Sequence, residues 1–315
     1  MWLLDNSILF FLPSGSLNML IQNYYIAEFK SIPEKELFEQ KHLSNGCIEM
    51  FIGIQNTVSD CLSNKGEIII TDSSIVGAHD LENSIKVNMK DAGSGFMKFV
   101  SVNFRQNGFY SIFKIPESDI HNSIVDSSLV LGNEIKMLQE KLSEARTNFE
   151  CIKYLEGFLI AKLTSNSTRC SQIRAINDII SFLNSRKGNI KLYDLEDEFG
   201  LSERTLQRKF KEETGFRIKE YCKILRFTNL LDKAARQQDI IWADMVSEFG
   251  YYDQSHLINE FSNTTGLSPA VFSRKINKSV FKLYNHLVIL RSDEEYKTMF
   301  RGLESYADAE QIASV

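Results

Sequence analysis

The stretch DLEDEFGLSERTLQRKFKEETG, residues 194–215, decides how the C-terminal part of the chain is organised. Its first seven residues are echoed by DMVSEFG at residues 244–250, and with one inserted residue the match continues to a second Thr-Gly pair. In both copies a short helix meets a glycine, which accepts the positive φ angle at which helices commonly end. A second amphipathic helix then runs to the Thr-Gly pair. The repeat therefore predicts two copies of a helix-turn-helix unit.

Matching positions predict the framework of the two units. A glycine ends each first helix, and a Ser or Asp can cap the N-terminus of each second helix. Two apolar residues four positions apart give each second helix one buried face. The framework residues are Gly200, Ser202, Leu206 and Phe210 in the first unit, and Gly250, Asp253, Leu257 and Phe261 in the second.

The other face of the second helix in the first unit carries Arg204, Gln207, Arg208 and Lys211. Arg and Gln suit paired hydrogen bonds to guanine and adenine edges, whereas Lys reaches phosphate. A solvated surface is the ordinary explanation of a charged helix face, but the repeat favours DNA contact here. Residues 217–235 are predicted to form one helix, a stiff connector that would hold two recognition helices about 34 Å apart.

Composition sets broader limits on the protein. The chain has 315 residues and a net charge of −5, and residues 180–280 contain 16 basic and 14 acidic residues. Affinity for DNA must therefore come from local placement of charge and not from bulk charge. The five cysteines are scattered, which disfavours a disulfide framework or zinc site and fits the reducing cytoplasm. Neither a signal peptide nor a membrane-spanning segment is expected.

The C-terminal sequence resembles the AraC family of bacterial transcriptional regulators over residues 173–275. The resemblance is carried by LSERTLQRKFKEETG from Leu201, RIKEYCKILRFTNLLDKA from Arg217 and EFGYYDQSHLINEFSNTTGLSPAVFSRK from Glu248. The third motif is the most specific, and its Gly-x-Ser-Pro ending adds Pro269 to the framework. The resemblance implies an all-helical DNA-binding domain, a homodimer on double-stranded promoter DNA, and contact with RNA polymerase.

The resemblance also implies which side chains contact bases. In the first unit they are Arg204, Gln207 and Arg208, and in the second unit Gln254, Ser255, His256 and Asn259. Family members usually carry Arg or Lys where this chain has Asn259, Glu260 and Ser262, and residues 253–273 contain neither Arg nor Lys. Because each lost phosphate contact lowers the salt dependence of binding, the first unit is expected to dominate affinity.

The N-terminal sequence is β-rich, and a barrel or sandwich is expected. Strands are predicted at residues 24–29, 47–54, 67–71, 85–89 and 95–104, with small helices near 108–113 and 117–124. The segment FVSVNFRQNGFYSIFKIPESDI from Phe99 resembles, more loosely, the sensor-like domain of a subset of AraC-type regulators. That likeness implies a cupin-like fold by analogy. The chain as a whole is predicted to be α+β.

Five segments follow from these patterns. They are a β-rich sensor-like domain at 1–132, one long helix at 133–163, a linker at 164–171, the DNA-binding domain at 172–278 and a C-terminal extension at 279–315. The long helix carries apolar residues in a heptad-like seam, namely Ile135, Leu138, Leu142, Ala145, Phe149 and Ile152. Packing on its own β-domain is the favoured explanation of that seam, and a dimerisation helix is the alternative.

Two other functions were weighed. A metal-binding cupin-type enzyme needs histidines that converge on one ion, but His42, His79 and His121 are far apart in sequence. No enzyme, metal or cofactor is therefore expected. The other alternative is an N-terminal domain that only dimerises and binds no small-molecule effector. The aromatic residues Phe96, Phe99, Phe104, Phe109, Tyr110 and Phe113 would either line an effector pocket or form core.

Overall fold

The computed structural model describes most of the chain. The described residues are 7–29, 38–42, 44–55, 58–63, 66–71, 73–81, 85–90, 97–166, 170–236, 242–275 and 287–288. Parts of the predicted turns, Phe96, the linker residues 167–169 and nearly all of the C-terminal extension lie outside these ranges.

The N-terminal part is built from antiparallel strands. They are β1 (Ser7–Phe11), β2 (Ile21–Phe29), β3 (Phe38–His42), β4 (Glu49–Gln55), β5 (Val58–Ser63), β6 (Gly66–Thr71), β7 (Ser73–Val76), β8 (Ile85–Lys90), β9 (Met97–Phe104) and β10 (Ile124–Asp126). Strand β11 (Leu287–Val288), from the C-terminal extension, pairs with β3. One sheet has the order β1-β2-β9-β4-β7-β10, and the other has the order β11-β3-β8-β5-β6. The expected β-rich domain is therefore present as two antiparallel sheets.

The core of this domain lies on the larger sheet. Strands β4 and β9 are neighbours in its centre, and both are buried along most of their length because elements cover them on each side. Five of the strands were predicted with boundaries close to those observed, and all five contain β-branched or aromatic residues. Four aromatic residues from the predicted set, Phe99, Phe104, Phe109 and Phe113, are buried in this core. Three of them form a ring cluster, with centroids of Phe109 and Phe113 4.9 Å apart.

Short helices follow the strands. They are α1 (Gly108–Phe113), α2 (Glu117–Ile120) and α3 (Ser127–Leu131). Helix α2 ends earlier than the sequence predicted, because Ile124–Asp126 pairs with β7 as strand β10. A helical turn at Gly15–Met19 also precedes β2.

The prediction of one long helix at 133–163 is wrong. The segment forms two packed helices, α4 (Asn133–Glu144) and α5 (Asn148–Ser165), so α5 also runs into the predicted linker. The break is encoded locally: Thr147 Oγ1 accepts the Glu150 N–H at 3.1 Å, and the Glu150 carboxylate accepts the Arg146 N–H at 2.8 Å. Thr147 therefore caps the new helix, and Glu150 also holds the residue before that cap, after Ala145 has turned to extended backbone.

The two-helix arrangement also settles the role of the apolar seam. Ile135, Leu138, Leu142 and Ile152 are buried in the core, which confirms that the seam packs on its own domain. Phe149 departs from that pattern, because the break in the helix turns its side chain outward and leaves it 75% exposed.

The C-terminal part is helical, as predicted. Its helices are α6 (Cys170–Ser185), α7 (Leu192–Phe199), α8 (Glu203–Thr214), α9 (Ile218–Arg236), α10 (Trp242–Glu248), α11 (Gln254–Thr265) and α12 (Pro269–Lys275). Helix α9 matches the predicted connector within a residue at each end. The α+β class expected from the sequence is thus confirmed. No helix in the described ranges is both long and apolar enough to cross a membrane.

The two parts of the chain share one core. Buried apolar residues from the larger sheet and from helices α6 to α12 form a single continuous cluster. Across this boundary helix α2 packs on α8, the second helix of the first repeated unit. The N-terminal domain therefore packs directly on the element that the sequence assigns to DNA.

Candidate nucleic-acid interface

The first repeated unit consists of α7 and α8. Helix α7 ends at Gly200, which has a φ of 62° and donates its N–H to Glu196 O at 2.9 Å. This left-handed stop strongly favours glycine and turns the chain into α8. Leu206 and Phe210 are buried, so α8 is anchored along one face as the apolar spacing predicts.

The second unit, α10 and α11, repeats this geometry. Gly250 has a φ of 69°, and Leu257 and Phe261 are buried along one face of α11. Asp253 caps α11, because its Oδ1 accepts the His256 N–H at 2.7 Å. Pro269 is the first residue of α12 and is buried, as expected for a framework position.

The predicted N-cap of α8 does not act in the same way as the N-cap of α11. Ser202 stands at the N-cap of α8, but its side chain does not cap the backbone. Its Oγ instead pairs with Thr205 Oγ1 at 3.1 Å, and the Glu203 N–H is satisfied by Glu196 Oε1 from α7. A glutamate from the preceding helix thus takes over part of the capping.

A threonine closes each unit in the same way. Thr214 Oγ1 donates to Phe210 O at 2.6 Å and accepts from the Phe216 N–H at 3.4 Å. Thr265 Oγ1 donates to Phe261 O at 2.8 Å and accepts from the Leu267 N–H at 3.1 Å. The matching glycines, 215 and 266, both have a positive φ angle. The Thr-Gly repeat therefore ends α8 and α11 with the same C-terminal structure.

The predicted contact residues of the first unit lie on the free face of α8. Arg204, Arg208 and Lys211 are exposed. Arg208 Nη1 lies 3.5 Å from Glu212 Oε2, one turn along the helix, which is a weak surface pair. The guanidinium groups are thus accessible to a duplex.

Gln207 has a different position. It is half-buried, and its Oε1 accepts the Ile218 N–H at 3.3 Å. Ile218 is the first residue of α9, and the N–H groups in the first turn of a helix have no acceptor within that helix. Gln207 therefore satisfies the start of the connector, a packing role that the sequence analysis did not predict.

The predicted residues of the second unit, Gln254, Ser255, His256 and Asn259, are all exposed near the start of α11. Glu260, the acidic residue beside them, pairs with Lys223 Nζ at 3.5 Å and accepts from Tyr251 Oη at 2.8 Å. Burial and the Glu260 carboxylate raise the pKa of Tyr251 well above its ordinary value. The free face of α11 is therefore polar but carries no Lys or Arg, as the sequence shows.

One exposed aromatic residue near α11 was not predicted from the sequence. Tyr252 immediately precedes the cap of α11 and is 91% exposed, beside the half-buried Tyr251. The Tyr-Tyr-Asp run was a usable signal, because an aromatic side chain next to a helix N-cap is placed at the helix entrance. Its hydroxyl can donate to a phosphate at the position where helix N-termini meet the DNA backbone.

Of the three histidines considered for an enzyme, His79 and His121 both lie near Asp80, and the side chain of His42 is outside the described part of the chain. His79 is buried, with Nδ1 3.4 Å from Gly77 O, whereas His121 Nε2 lies 3.2 Å from Asp80 Oδ1. In the ranges that the structure describes, no group of three His, Cys, Asp or Glu side chains could hold a metal ion.

Two repeated helix-turn-helix units with free second helices, joined by one stiff helix, define a DNA-binding transcriptional regulator. Residues 195–275 match the family model of a helix-turn-helix domain, and residues 9–126 match a domain of unknown function, DUF6597. The chain therefore carries an AraC-type helix-turn-helix domain behind an N-terminal domain whose family has no assigned role. A search of curated protein sequences finds no match.

Comparison with solved structures finds ToxT from Vibrio cholerae. One ToxT structure has 10% sequence identity and a TM-score of 0.41, covering 86% of this chain and 98% of ToxT. A ToxT structure with bound unsaturated fatty acid has 11% identity and a TM-score of 0.39, covering 79% of this chain and 94% of ToxT. These similarities are distant.

Proposed function

We propose that this protein binds specific promoter sequences through both helix-turn-helix units and that its N-terminal domain adjusts the binding. The observation that carries the proposal is the repeat itself. The same glycine turn, buried pair and threonine stop recur in both units, and both free faces expose side chains suited to DNA. A surface helix without a function has no physical reason to recur in this form.

The two units have unequal roles in this proposal. Arg204 and Arg208 contact guanine edges, and Lys211 contacts phosphate. In the second unit Gln254, Ser255, His256 and Asn259 make polar contacts, with Tyr252 at the backbone. Because the second face has no cationic side chain of Lys or Arg, the first unit provides most of the affinity.

The N-terminal domain brings two copies together in this proposal. Support comes from α4 and α5, where Met137, Phe149 and Ile160 are exposed. Such apolar residues on one helical hairpin are suited to contact with a second copy. A small-molecule effector or a protein partner then changes how the paired units are presented to DNA, in contact with RNA polymerase in the cytoplasm.

Selection of bound duplexes from random DNA by the full-length protein tests the proposal. The wild type is expected to enrich one motif, and Arg208→Ala is expected to weaken binding to it by about 1–3 kcal/mol. Lys153→Ala on the exposed surface of α5 removes the same charge away from the units and serves as the control. Selection that enriches no motif, or equal binding by Arg208→Ala, would refute the proposal.

A further inference from the structure

The N-terminal domain holds the first unit at the C-terminal end of its recognition helix. Helix α2 packs on α8, and a Cβ on Gly215 would lie 3.2 Å from His121 Nδ1 and 3.4 Å from Glu117 O. The next residue, Phe216, meets the His121 ring edge-on, with the ring centroids 4.7 Å apart. The backbone after α8 is thus pressed against the N-terminal domain.

A second contact lies on the connector. A Cβ on Gly46 would lie 3.1 Å from Tyr221 Cε2 and 3.8 Å from Ile224 Cγ2, so the loop before β4 packs on α9. Asn107 Nδ2, just before α1, also donates to Asn177 Oδ1 of α6 at 3.1 Å. We call these contacts of α2, Gly46 and Asn107 with α6, the first unit and its connector the interdomain clasp.

Two carboxyl groups are buried inside the clasp. Glu117 of α2 is 1% exposed and Glu213 of α8 is 5% exposed, and each comes from a different domain. Glu117 Oε1 accepts the Tyr110 N–H at 3.2 Å. Placing two ionised carboxylates together out of water is strongly unfavourable, so at least one proton is expected on the pair.

The hydrogen bonds around Glu213 indicate where a proton is needed. Glu213 Oε2 and Asn107 Oδ1 are both fully buried acceptors without a donor among the described residues. The Asn107 side chain also forms a hydrogen bond with the Glu213 carboxyl that lowers its pKa, but burial raises that pKa by more. A proton on Glu213 Oε2 would convert one of these two acceptors into a donor and allow both to be satisfied.

The charged and titratable groups around the pair come from several elements. Lys114, after α1, and Lys209, on α8, favour ionised Glu213, whereas Glu212 on α8 opposes it.

Cys47, in the loop before β4, interacts with Glu117 and lies near Arg105. His121, at the end of α2, pairs with Asp80, and Tyr221 of α9 faces both Cys47 and Glu117. The lysines do not offset the burial of two carboxyl groups.

We propose that protonated Glu117 and Glu213 hold the interdomain clasp closed, and that their ionisation opens it and frees the first DNA-binding unit to reorient. The clasp contacts the residues that follow the C-terminal end of α8, and Arg204 and Arg208 remain exposed. It therefore sets the orientation of the recognition helix without covering the face assigned to DNA. Regulation by pH goes beyond the function proposed above.

The direction of the pH effect follows from the titration of the pair. Burial raises the pKa of Glu117 from 4.5 to about 8, with Glu213 adding to the rise, and burial raises the pKa of Glu213 to about 7. The open state releases these protons near the ordinary pKa, whereas the closed state retains them. The protonated pair therefore contributes its full stabilisation of the closed state below pH 4.5. This contribution is lost as the pH rises through 7 and 8, and above that the pair contributes nothing to closure.

Hydrogen exchange of the full-length protein, corrected for intrinsic rates and compared at about pH 6 and about pH 9, tests the proposal. In the wild type, protection of residues 210–221 is expected to fall by more than about tenfold between these values. The double variant Glu117→Gln with Glu213→Gln mimics the protonated pair and is expected to stay protected at both. Glu203→Gln removes an exposed carboxylate at the other end of the same helix and is expected to behave as the wild type.

Each result of the exchange experiment either supports or overturns the proposal. Equal protection of wild-type residues 210–221 at both pH values would overturn the proposal, as would a full pH response in the double variant. Glu213→Gln alone provides a second measurement if the double variant folds poorly, and it is expected to reduce the response. Because the readout is backbone exchange and not DNA binding, the result is independent of the function proposed above.

Discussion

Asn259 is exposed on α11 at the position that matches Arg208 of α8. Replacing it with Arg adds a cation where the second unit has none, so Asn259→Arg is expected to tighten DNA binding. The slope of log affinity against log salt should steepen by about 0.9. Fluorescence anisotropy with the selected duplex across a salt series measures both quantities.

The control for this prediction adds the same charge elsewhere. Ser143 is exposed on α4, away from both units, and Ser143→Arg is expected to leave the salt slope unchanged. A slope in Asn259→Arg equal to that of the wild type would show that α11 does not approach the DNA backbone.

Gln207 provides a second prediction at this scale, concerning stability. Gln207→Ala leaves the Ile218 N–H without its side-chain acceptor, which is expected to lower the free energy of unfolding by about 1–3 kcal/mol. Urea unfolding followed by circular dichroism measures this loss. Gln207→Glu keeps an acceptor and places a negative charge at the N-terminus of α9, so it should retain stability. Equal losses in both variants would contradict this role.

At the scale of elements, the start of α5 after the break depends on the Thr147 N-cap. Thr147→Ala removes the acceptor for the Glu150 N–H and is expected to lower the free energy of unfolding by about 0.5–2 kcal/mol. Thr147→Ser retains the hydroxyl and should cost less than Thr147→Ala. Urea unfolding midpoints for the two variants test this, and a Thr147→Ala midpoint at the wild-type value would be inconsistent with the cap.

The helices of the C-terminal part were predictable because their signals are local. Glycines 200 and 250 mark the turns, and apolar spacing marks the buried faces. The break at 145–147 was equally local but was hidden by an apolar seam that continues across it. Strand β7 was missed because SSIV is short and serine-rich, and only its place between β4 and β10 explains why it is a strand.

The candidate site was predictable only in part, because some of its contacts have a local sequence signal and others depend on tertiary packing. Exposure of Arg204, Arg208 and the α11 residues followed from helical periodicity. The packing of Gln207 on α9 depends on how two helices meet. The approach of Glu117 to Glu213 depends on how two domains meet, and a single sequence carries no periodic signal for either contact.

At the scale of the whole molecule, α9 fixes the separation of the two units. If they occupy successive major grooves on one face, inserting about five base pairs between the two protected segments rotates them by half a turn. Binding by both units would then fail, and affinity should fall to that of the first unit alone. Footprinting and anisotropy with paired duplexes test this, and unchanged affinity on the inserted duplex would mean that one unit binds alone.

The threonine stop and glycine turn have a consequence for how such a protein can diverge. The side chains that keep each unit folded point inward, whereas those that we propose contact DNA are exposed. Natural variation can therefore rewrite the target of α11 without endangering the scaffold. The same separation offers protein engineers a surface on which altered promoter preference can be selected independently of folding.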